Sequence, residues 1–595
     1  MPASPRANSD GPVRVSVTSG GQPLADSVRL VSIRVRRAAN TVPSATLVIE
    51  DGDMTTGAWD VADGATMKPG SEIAIKAGYG DREETIFEGV VVKLGMRISG
   101  ENFSRVVAEC QDKAVKMTVG RKNANYVDQT DGDIIQKLAG NHSLTVATDA
   151  TTPQHKELVQ YYCTDWDFMV ARAEANGLLV IATDGELSVK KPATSGAAEL
   201  EVTYGADLLE FQAEIDARTQ LSSVQAVGWD PKSQAIATAT EQPASLNEQG
   251  DITSATLAQV VGLSTFTLQS ATPLETEALT AWAKAQQVKA GLARIRGRMR
   301  FQGSAKAKVG TLIDLAGVGA RFNGSVFVGG LEHEIEDGNW TTEVEFGLDP
   351  NWFTQRSDVV APPAAGWVPG AEGLQVGVVT KLDGDPNSEQ RIQVKAPVLN
   401  ADTPGVWARL SQFHASSAFG AFFLPEVGDE VILGYFNNDP SHPVILGSLY
   451  SSKNQPPYTI AAENNTKAVV TRCKAKIEID EEKKSITITT PGKNKIVLSD
   501  DAKEILIQDQ SDNKVTLNTS GITLDSPKDI KITAKGSLTL DAVGAVSISS
   551  KADVSAKGLN VTCDAQVGFT GKGSATAELS ASGHTTVRGA MVMIN

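Results

Sequence analysis

The chain has 595 residues, 41% of them hydrophobic and 21% charged, and its formal net charge at pH 7 is −16. This length predicts several domains, each large enough to bury a core. The excess of carboxylates argues against nucleic acid as a partner, because phosphate binding depends on clustered Lys and Arg. The cysteines are far apart in the sequence and form no C-x-x-C pair, which favours reduced thiols. No apolar run reaches membrane-spanning length and the first residues lack a signal-peptide core, so we expect assembly in the cytoplasm.

Residues 1–360 have the pattern of a β-rich region with a few helices. Alternating apolar and polar residues predict strands at Val13–Val17, Ile33–Arg37, Ala45–Ile49, Glu72–Ala77 and Ile86–Val92. Thr130, with Asp133 three residues later, predicts the start of one helix. Two more helices are predicted at Trp166–Ala175 and near Glu275–Ala290. Residues 361–373, rich in Pro, Gly and Ala, predict a linker.

Residues 374–456 show the short strands of a small closed barrel of the OB type. The predicted strands are Gln375–Thr380, Arg391–Lys395, Val406–Leu410, Ala421–Leu424, Glu430–Tyr435 and Val444–Ser448. Gly, Pro and Asp residues separate them and favour turns. A barrel in this position would form a collar before the region that follows.

Between Ile477 and Phe569 the chain repeats one small unit, two apolar residues flanking a usually small or polar one, about every eight residues. The series is Ile477/Ile479, Ile486/Ile488, Ile496/Leu498, Ile505/Ile507, Val515/Leu517, Ile522/Leu524, Ile530/Ile532, Leu538/Leu540 and Val546/Ile548, with Leu559/Val561 and Val567/Phe569 less regular. So short a period corresponds to one strand and one corner. Each strand offers too few inward side chains to close a core, so we expect three identical chains in an intertwined triangular β-helix needle. A single-chain β-helix is the alternative, but its usual coil lengths fit this spacing less well.

Three motifs follow one another in the predicted barrel. They are Trp407-Ala-Arg409-Leu-Ser-Gln412, Gly420-Ala-Phe-Phe-Leu-Pro425-Glu-Val-Gly428-Asp-Glu-Val431 and Asn438-Asp-Pro440-Ser-His-Pro443-Val-Ile-Leu-Gly447-Ser-Leu-Tyr450. They resemble the OB-fold signature of VgrG-type spike proteins of contractile injection systems, a group that includes type VI secretion systems, extracellular antifeeding-prophage-like particles and phage baseplate hub-spikes. The segment 161–178 resembles the hub motif of the same family.

The resemblance implies a homotrimer with a β-barrel hub at 1–360, an OB-fold collar at 374–456 and a needle at 457–595. The hub would bind inner-tube and baseplate proteins, and the needle would puncture a target membrane transiently as part of an injection particle that is released or reaches the target envelope. Effector cargo and a PAAR-type tip protein are further implied partners. We expect Met591, Val592, Met593, Ile594 and Asn595 to dock the tip protein, because they supply an apolar cross-section where a β-prism leaves unpaired strands.

Three departures from relatives bear on chemistry. Some relatives carry a lysozyme domain after the barrel, where this chain has only Ser451–Lys467, and others carry a C-terminal effector. Some phage spikes bind iron through an H-x-H motif, where this chain has the lone His584. We therefore expect no enzyme activity, no cofactor and no metal. The alternative function is a trimeric β-helical tailspike that depolymerises glycans, but Phe569 is the sole aromatic residue after Tyr458, and glycan clefts usually need stacking aromatics.

Several short patterns suggest a site, and each has a simpler interpretation. The segment 383–389 begins like a calcium loop, but Ser388 stands where an EF-hand needs Gly, which favours a turn between barrel strands. The glycines of 317–324 are off the dinucleotide-binding spacing and favour a loop. His333-Glu334 lacks the second His of a zinc protease motif.

Two further patterns involve reactive side-chain types. Cys163 and His155 suggest a nucleophile and its base, but Cys163 lies inside the hub motif, which favours a packing role. Acidic pairs such as Asp165/Asp167 and Glu481/Glu482 are common in an acidic chain and do not indicate glycoside hydrolysis without a cleft.

Overall fold

The computed structural model describes residues 2–7, 10–100, 103–397 and 404–594, which divide into two compact units between Leu449 and Tyr450. The strands before the barrel are β1 Val13–Ser19, β2 Gln22–Pro23, β3 Arg29–Ala38, β4 Ser44–Glu50, β5 Glu72–Tyr79, β6 Arg82–Ser99, β7 Phe103–Gln111, β8 Lys122–Thr130, β9 Thr145–Thr148, β10 Gln154–Cys163, β11 Leu179–Thr183, β12 Glu186–Lys190, β13 Leu200–Thr203, β14 Leu208–Ile215, β15 Val224–Asp230, β16 Ala235–Glu241, β17 Phe266–Ser270, β18 Ile295–Gln302, β19 Leu312–Ala316, β20 Gly324–Glu336 and β21 Asn339–Phe346. The helices are α1 Asp131–Gly140, α2 Asp165–Ala175, α3 Ser254–Val261 and α4 Thr276–Leu292. The expectation of a mainly β protein with a few helices is confirmed.

Thirteen strands form one large sheet in the first unit. Its order is β14-β18-β21-β20-β3-β4-β7-β6-β5-β1-β2, with β19 attached to β20 and β13 attached to β19. The alternation that predicted its strands also places its core: in β4, Ala45, Leu47 and Ile49 are buried while the residues between them are half-buried. Phe87 and Trp340 pack into the same core.

A smaller α/β region is inserted in this unit. The pair β8–β10, the sheet β11-β12-β9 and the helices α1 and α2 enclose a second core. The predicted N-cap of α1 is confirmed, because the Thr130 side chain accepts a hydrogen bond from the Asp133 N–H and the Asp133 carboxylate accepts one from the Thr130 backbone N–H. The helix α2 also ends where predicted, at Asn176, before Gly177 with φ of 69°.

The helix α4 packs against a third small sheet, β16-β15-β17, and the helix α3 packs near residues 217–219. The prediction of a helix near 275–290 is confirmed by α4. We did not predict α3, because its eight residues are too few for a helical period to stand out. Its ends nevertheless carry ordinary signals: the Thr253 side chain accepts from the Thr256 N–H, and Gly262 at φ of 74° closes the helix.

Five strands then form a closed barrel: β22 Gln375–Lys381, β23 Ile392–Lys395, β24 Val406–Leu410, β25 Glu430–Tyr435 and β26 Pro443–Ser448. Its strand order is β22-β23-β24-β26-β25. The interior contains Val379, Val394, Ala408, Leu433 and Ile445, all buried. The predicted barrel is therefore confirmed.

The predicted strand Ala421–Leu424 is wrong. The barrel closes by parallel pairing of β24 with β26 and antiparallel pairing of β26 with β25, so no strand edge is left for these residues. They lie instead in an irregular loop between β24 and β25. Their apolar and aromatic composition is typical of a strand, but no neighbouring strand edge is available for them to pair with.

Residues of the predicted linker make contacts in this unit. Ala364 is buried, and the Ala371 N–H donates to the Asn438 carbonyl at 2.8 Å. Just before it, the Arg121 guanidinium donates to the carbonyls of Asp358 and Val360, each at 2.9 Å.

The second unit contains one seven-stranded sheet: β27 Thr466–Val470, β28 Lys476–Asp480, β29 Ser485–Thr489, β30 Lys495–Ser499, β31 Glu504–Gln508, β32 Lys514–Asn518 and β33 Gly521–Asp525. Consecutive strands pair antiparallel in chain order. No strand is assigned within 526–594.

None of the helices in the described ranges is long and apolar enough to cross a membrane.

Candidate assembly interface

Large aliphatic residues occupy one face of the second unit's sheet. In β28–β33 the second and fourth residues of each five-residue strand are Ile, Leu or Val. Successive side chains of a strand point to opposite faces, so all of these residues share one side of the sheet. We call this side the apolar face.

The pairing register stacks these residues into two continuous columns. One column runs Ile477, Ile488, Ile496, Ile507, Val515 and Leu524, and the other runs Ile479, Ile486, Leu498, Ile505, Leu517 and Ile522. Directly opposed residues on neighbouring strands are about 5 Å apart at Cβ, close enough for their side chains to touch. A shift of one residue would send a whole strand's apolar pair to the other side, so the turns that set this register also create the apolar face.

These columns are uncovered within one chain. Of the four isoleucines in the first column, Ile496 is the least exposed at 37% and Ile477 is the most exposed at 48%. Among the described residues of 450–594, none is buried. The sheet therefore has the apolar face of a core without a second layer to complete it.

The opposite face of β28–β33 is mainly polar, with Val497 and Leu506 as its large aliphatic residues, and it is partly hydrogen-bonded within the chain. The Glu478 carboxylate accepts from Lys476 Nζ at 2.7 Å and from the Tyr458 hydroxyl at 2.5 Å, both at Oε2. These two hydrogen bonds lower the pKa of Glu478. The two sides thus differ in composition: one is mainly polar, and the other carries an aliphatic residue at both inward positions of every strand from β28 to β33.

The loops explain the spacing of the strands. Between β27 and β32 they have five and four residues alternately, and each contains one residue at positive φ: Lys474, Lys484, Lys493, Lys503 and Asp512. Polar loops of this length reverse the chain within one molecule. The resulting repeat is nine or ten residues, longer than the period of about eight that we read from the sequence.

The expectation of interwound chains is therefore corrected for residues 466–525, where each strand pairs with the next strand of the same chain. After β33 the apolar pairs recur every eight residues, at Ile530/Ile532, Leu538/Leu540 and Val546/Ile548. Their exposed fractions rise to between 55% and 75%. The change of spacing coincides with the end of pairing inside the chain.

Three protein-family models match the chain. The Alg8 N-terminal domain matches residues 9–337, more than half of the chain. The type VI secretion system/phage-baseplate injector OB domain matches residues 375–450, which contain β22–β26. The phage baseplate V C-terminal trimerisation domain matches residues 485–552, which contain β29–β33.

Among curated proteins, the chain is similar to the actin cross-linking toxin VgrG1 of Vibrio cholerae serotype O1, with 44% identity over 147 residues, 24% of this chain and 13% of that protein. It is also similar to the type VI secretion system spike protein VgrG3 of Vibrio cholerae serotype O1, with 28% identity over 147 residues, 24% of this chain and 14% of that protein. The chain belongs to the Alg8 N-terminal domain family and is a VgrG-type spike protein. The matched stretch of this chain spans less than a sixth of the length of either relative.

A solved structure is also similar to this chain. The E. coli c3393 protein, described as a component of the type VI secretion system with structural similarity to T4 bacteriophage tail proteins gp27 and gp5, aligns with a TM-score of 0.39 and 13% identity. The alignment covers 73% of this chain and 99% of the E. coli chain. A TM-score this low adds no argument to the family assignment.

The residues predicted to dock a tip protein are exposed. Met591, Val592, Met593 and Ile594 have exposed fractions of 80%, 50%, 79% and 91%, and Asn595 lies outside the described residues. They form no strand in the single chain. Their role stays a prediction.

The Cys163 and His155 side chains do not form a nucleophile–base pair. They lie eight residues apart along β10, Cys163 opposite Lys122 and His155 opposite Gln129 on β8. Burial raises the pKa of the Cys163 thiol to about 11, which disfavours the nucleophilic thiolate. His155 Nε2 instead lies 3.1 Å from Asp131 Oδ2.

The remaining sequence candidates have structural roles. The Asp385 carboxylate accepts from the backbone N–H groups of Asn387 and Glu389 and from Arg391 Nη2 at 2.7 Å, which confirms a turn between β22 and β23. Gly317 and Gly319 lie in the loop before β20 at positive φ, as the loop interpretation predicted.

His333 is fully enclosed between strands. Its Nδ1 lies 2.9 Å from the Thr342 hydroxyl, and its ring lies 5.8 Å from that of Trp340. Burial lowers its pKa to about 3, so the imidazole is neutral at physiological pH. In the described ranges, no group of three or more His, Cys, Asp or Glu residues is placed to hold a metal ion.

We did not predict two buried carboxylates, Asp131 and Asp165. Each is the first residue of its helix, α1 or α2, and each follows a capping threonine in the pattern Thr-Asp-x-Asp. This repeated tetrapeptide is the signal that could have identified them. At an N-terminus the first-turn N–H groups favour a negative charge, so a buried carboxylate is well placed there.

The two carboxylates organise matching sets of partners. Asp131 accepts from Arg172 Nε at 2.7 Å, from Asn176 Nδ2 at 2.7 Å and from His155. Burial raises the pKa of Asp131, but the hydrogen bonds from His155 and Arg172 outweigh it and hold the pKa well below its usual range. Asp165 is bound in the same way, with Lys122 Nζ at 2.5 Å and His142 Nε2 at 2.7 Å. Their donors lie on β8, β10 and α2 and in the turns after both helices, so these groups lock the insert together; they do not form a catalytic pair.

Proposed function

We propose that three copies of this chain assemble through the apolar face into the structural spike of a contractile injection system. Residues 1–360 form the hub on the inner tube and baseplate, and residues 457–595 form a puncturing needle. The observation that carries this proposal is the pair of continuous aliphatic columns on a sheet with no second layer. An enzyme-like role has no comparable support, because the similarity to the actin cross-linking toxin covers 13% of that protein.

Burial of the apolar face supplies the driving force. Complete burial of a Leu or Ile side chain stabilises a fold by about 1.5–3 kcal/mol, so covering the remaining exposed part of each contributes roughly 1 kcal/mol. Summed over the twelve column residues of β28–β33, roughly 10 kcal/mol per chain is available before entropy is subtracted. This is enough to make assembly obligatory for the second unit.

An assembly of three such sheets covers the apolar face better than an assembly of two. The columns make each wall only two side chains wide, so three such walls meeting at their edges can enclose a filled triangular interior. The match of residues 485–552 to a trimerisation domain supports the same number. Residues 526–594, whose apolar pairs are most exposed, then wind around the equivalent segments of the other two chains and complete their backbone hydrogen bonds between chains.

The mass of the particle tests this proposal. Light scattering of the full chain should give three chains per particle at low micromolar concentration. Circular dichroism on the same sample should show the strand content intact. A folded monomer or a dimer would contradict the assembly.

We also propose that Met591–Ile594, with Asn595, bind a PAAR-type tip protein by continuing the strand stacking at the end of the needle. Deleting residues 591–595 should leave the particle trimeric and abolish co-purification of the co-expressed tip protein. As a matched control, replacing the five residues by an equal number of Gly and Ser residues should have the same effect, whereas restoring Met591–Ile594 alone should recover most of the binding. Unchanged co-purification after the deletion would refute the docking role.

The other partners follow from the family. Inner-tube and baseplate proteins are proposed for the hub and effector cargo for the particle, which assembles in the cytoplasm and then acts as part of an injection particle at a target envelope. Contact with the target membrane is transient in this proposal.

A further inference from the structure

The loop between β24 and β25 is an unusual part of the barrel. The fifteen residues from Ser411 to Pro425 contain no Asp, Glu, Lys or Arg, in a chain where these residues make up 21%. They include four phenylalanines, Phe413, Phe419, Phe422 and Phe423. A surface loop of this composition marks a surface that is covered in the working protein.

The loop is ordered by its own hydrogen bonds. The Ala421 N–H donates to the His414 carbonyl at 2.9 Å and the Ser416 N–H donates to the Phe419 carbonyl at 3.0 Å. Gln412 Nε2 donates to the Phe423 carbonyl at 2.6 Å. Gly420 lies at φ of 138°, and a Cβ there would approach the His414 carbonyl to 2.7 Å, so glycine is required at this closure.

This ordered backbone directs the aromatic rings into solvent. The exposed fractions are 87% for Phe413, 67% for Phe419, 83% for Phe422 and 59% for Phe423. Ring contacts inside the loop are limited, with His414 and Phe419 5.7 Å apart. A prearranged loop that presents large aromatic side chains loses little entropy on binding, which is a property of interface hot spots.

The barrel register places the loop at one particular end. The loop leaves from the end of β24, where Leu410 pairs with Ile445 of the parallel strand β26. It returns at the start of β25, where Val431 pairs with Ser448 and the Leu449 N–H donates to the Glu430 carbonyl. Both ends of the loop therefore lie at the end of the barrel from which the chain continues toward β27. The β25–β26 connection, 436–442, lies at the other end.

We propose that the loop 411–425 of each chain packs against the same loop of the other two copies and forms an aromatic ring at the end of the barrels where β26 ends. This inference rests on the proposed trimer. Side chains that lie close to a three-fold axis meet their own copies, so a charged residue there would face like charges. A loop of fifteen residues with no Asp, Glu, Lys or Arg meets that requirement, whereas a partner of different sequence would not impose it.

Crosslinking of the full-length particle tests the proposal. In a background with Cys163→Ser, Cys473→Ser and Cys563→Ser, which leaves only the buried Cys110, Phe422→Cys is treated with a bismaleimide. Crosslinked dimers should form roughly a hundredfold faster than from chains that meet only by collision, because thiols held in one particle have an effective concentration in the millimolar range.

The matched control is Ser441→Cys in the same background. Ser441 is exposed in the connection at the other end of the barrel, so its three copies should react with the reagent without joining chains. Mass by light scattering is measured on every sample. A trimer in which Phe422→Cys joins no more chains than Ser441→Cys would overturn the aromatic ring and leave the proposed function standing, and a monomer would overturn both.

A second variant tests the same contact without introducing a cysteine into the loop. Phe422→Asp should lower the thermal midpoint of the trimer, because three carboxylates would meet in a covered site, while Ser441→Asp should not change it. Equal midpoints for these two variants would contradict the proposal and favour an exposed loop that serves a different protein or a lipid surface.

Discussion

The two units of this chain use the same aliphatic residues in opposite ways. In the first unit, Ile33, Leu47 and Ile75 lie on strands of a large sheet and are at most 2% exposed. In the second unit, Ile486 and Ile505 lie on equally regular strands and are 42% and 40% exposed. The difference lies in the number of layers: the large sheet is covered by other strands and helices of its own chain, and the small sheet is not. Strand formation and core formation are therefore separate steps. Within one molecule, the second unit forms its strands but does not form a buried core.

The units also differ in buried charge. The first unit encloses Asp131 and Asp165 with their cationic partners, whereas the described part of the second unit has no buried residue of any kind. The first unit is thus expected to respond to pH and to the loss of single partners. The second is expected to respond to concentration and to changes on its apolar face.

The largest expected effect comes from charge on the apolar face. Ile505→Asp would bring three carboxylates into the dry interior of the assembled needle, at a cost of several kcal/mol per buried ion. We expect loss of the trimer, measured by light scattering, while the first unit stays folded by circular dichroism.

Thr516→Asp is the control for this change. Thr516 is on β32, next to the strand that carries Ile505, and its side chain lies on the opposite face. It pairs with Leu506 of β31 and Thr523 of β33. The carboxylate of Thr516→Asp should therefore stay in water. If the two variants gave trimers of equal thermal stability, the assignment of the apolar face to the interior would be wrong.

The second prediction concerns the buried carboxylate of the first unit. Asp131→Asn leaves Arg172 without its ionic partner and should lower the free energy of unfolding at pH 7 by about 3–5 kcal/mol. Denaturant unfolding monitored by tryptophan fluorescence measures the change, and its midpoint should not depend on protein concentration. Asp133→Asn, exposed on the same helix, should have a much smaller effect.

The pH dependence of the same group has a definite sign. Because the folded-state pKa of Asp131 is lowered, its stabilisation is complete above the unfolded pKa of about 4 and is lost as the pH falls toward the folded value. The wild-type free energy of unfolding should therefore fall below about pH 4 more steeply than that of Asp131→Asn. Parallel curves for the two proteins would argue against the ionic role.

The smallest predicted effect is the loss of a helix cap. The Thr164 hydroxyl accepts from the Asp167 N–H at 3.0 Å and donates to the Asp167 carboxylate at 2.6 Å. Thr164→Ala should lower the free energy of unfolding of the first unit by about 1 kcal/mol. Thr164→Ser keeps the oxygen and should restore most of it, and neither variant should change the number of chains per particle.

Local signals in the sequence were sufficient for some elements and not for others. The start of α1 at Thr130 and the end of α2 at Asn176 follow from side chain to backbone hydrogen bonds within four residues, so they could be predicted. Ala421–Leu424 has the composition of a strand, but strand formation depends on a free edge, which the closure of β24 onto β26 removes. The buried role of Asp131 was missed because Arg172 and Asn176 are more than forty residues away in the sequence.

For the assembly interface, the sequence by itself determined which residues are apolar, their alternation along each strand, and therefore the existence of two faces. It also contained the family motifs of the barrel. Only the tertiary structure decided the partners of each strand. Alternation is a property of one strand, whereas register depends on loop length and turn conformation, here the residues at positive φ between β27 and β32. The structure likewise decided that the apolar columns stay uncovered in one chain, because burial depends on whether a second layer is available and not on the strand's own sequence.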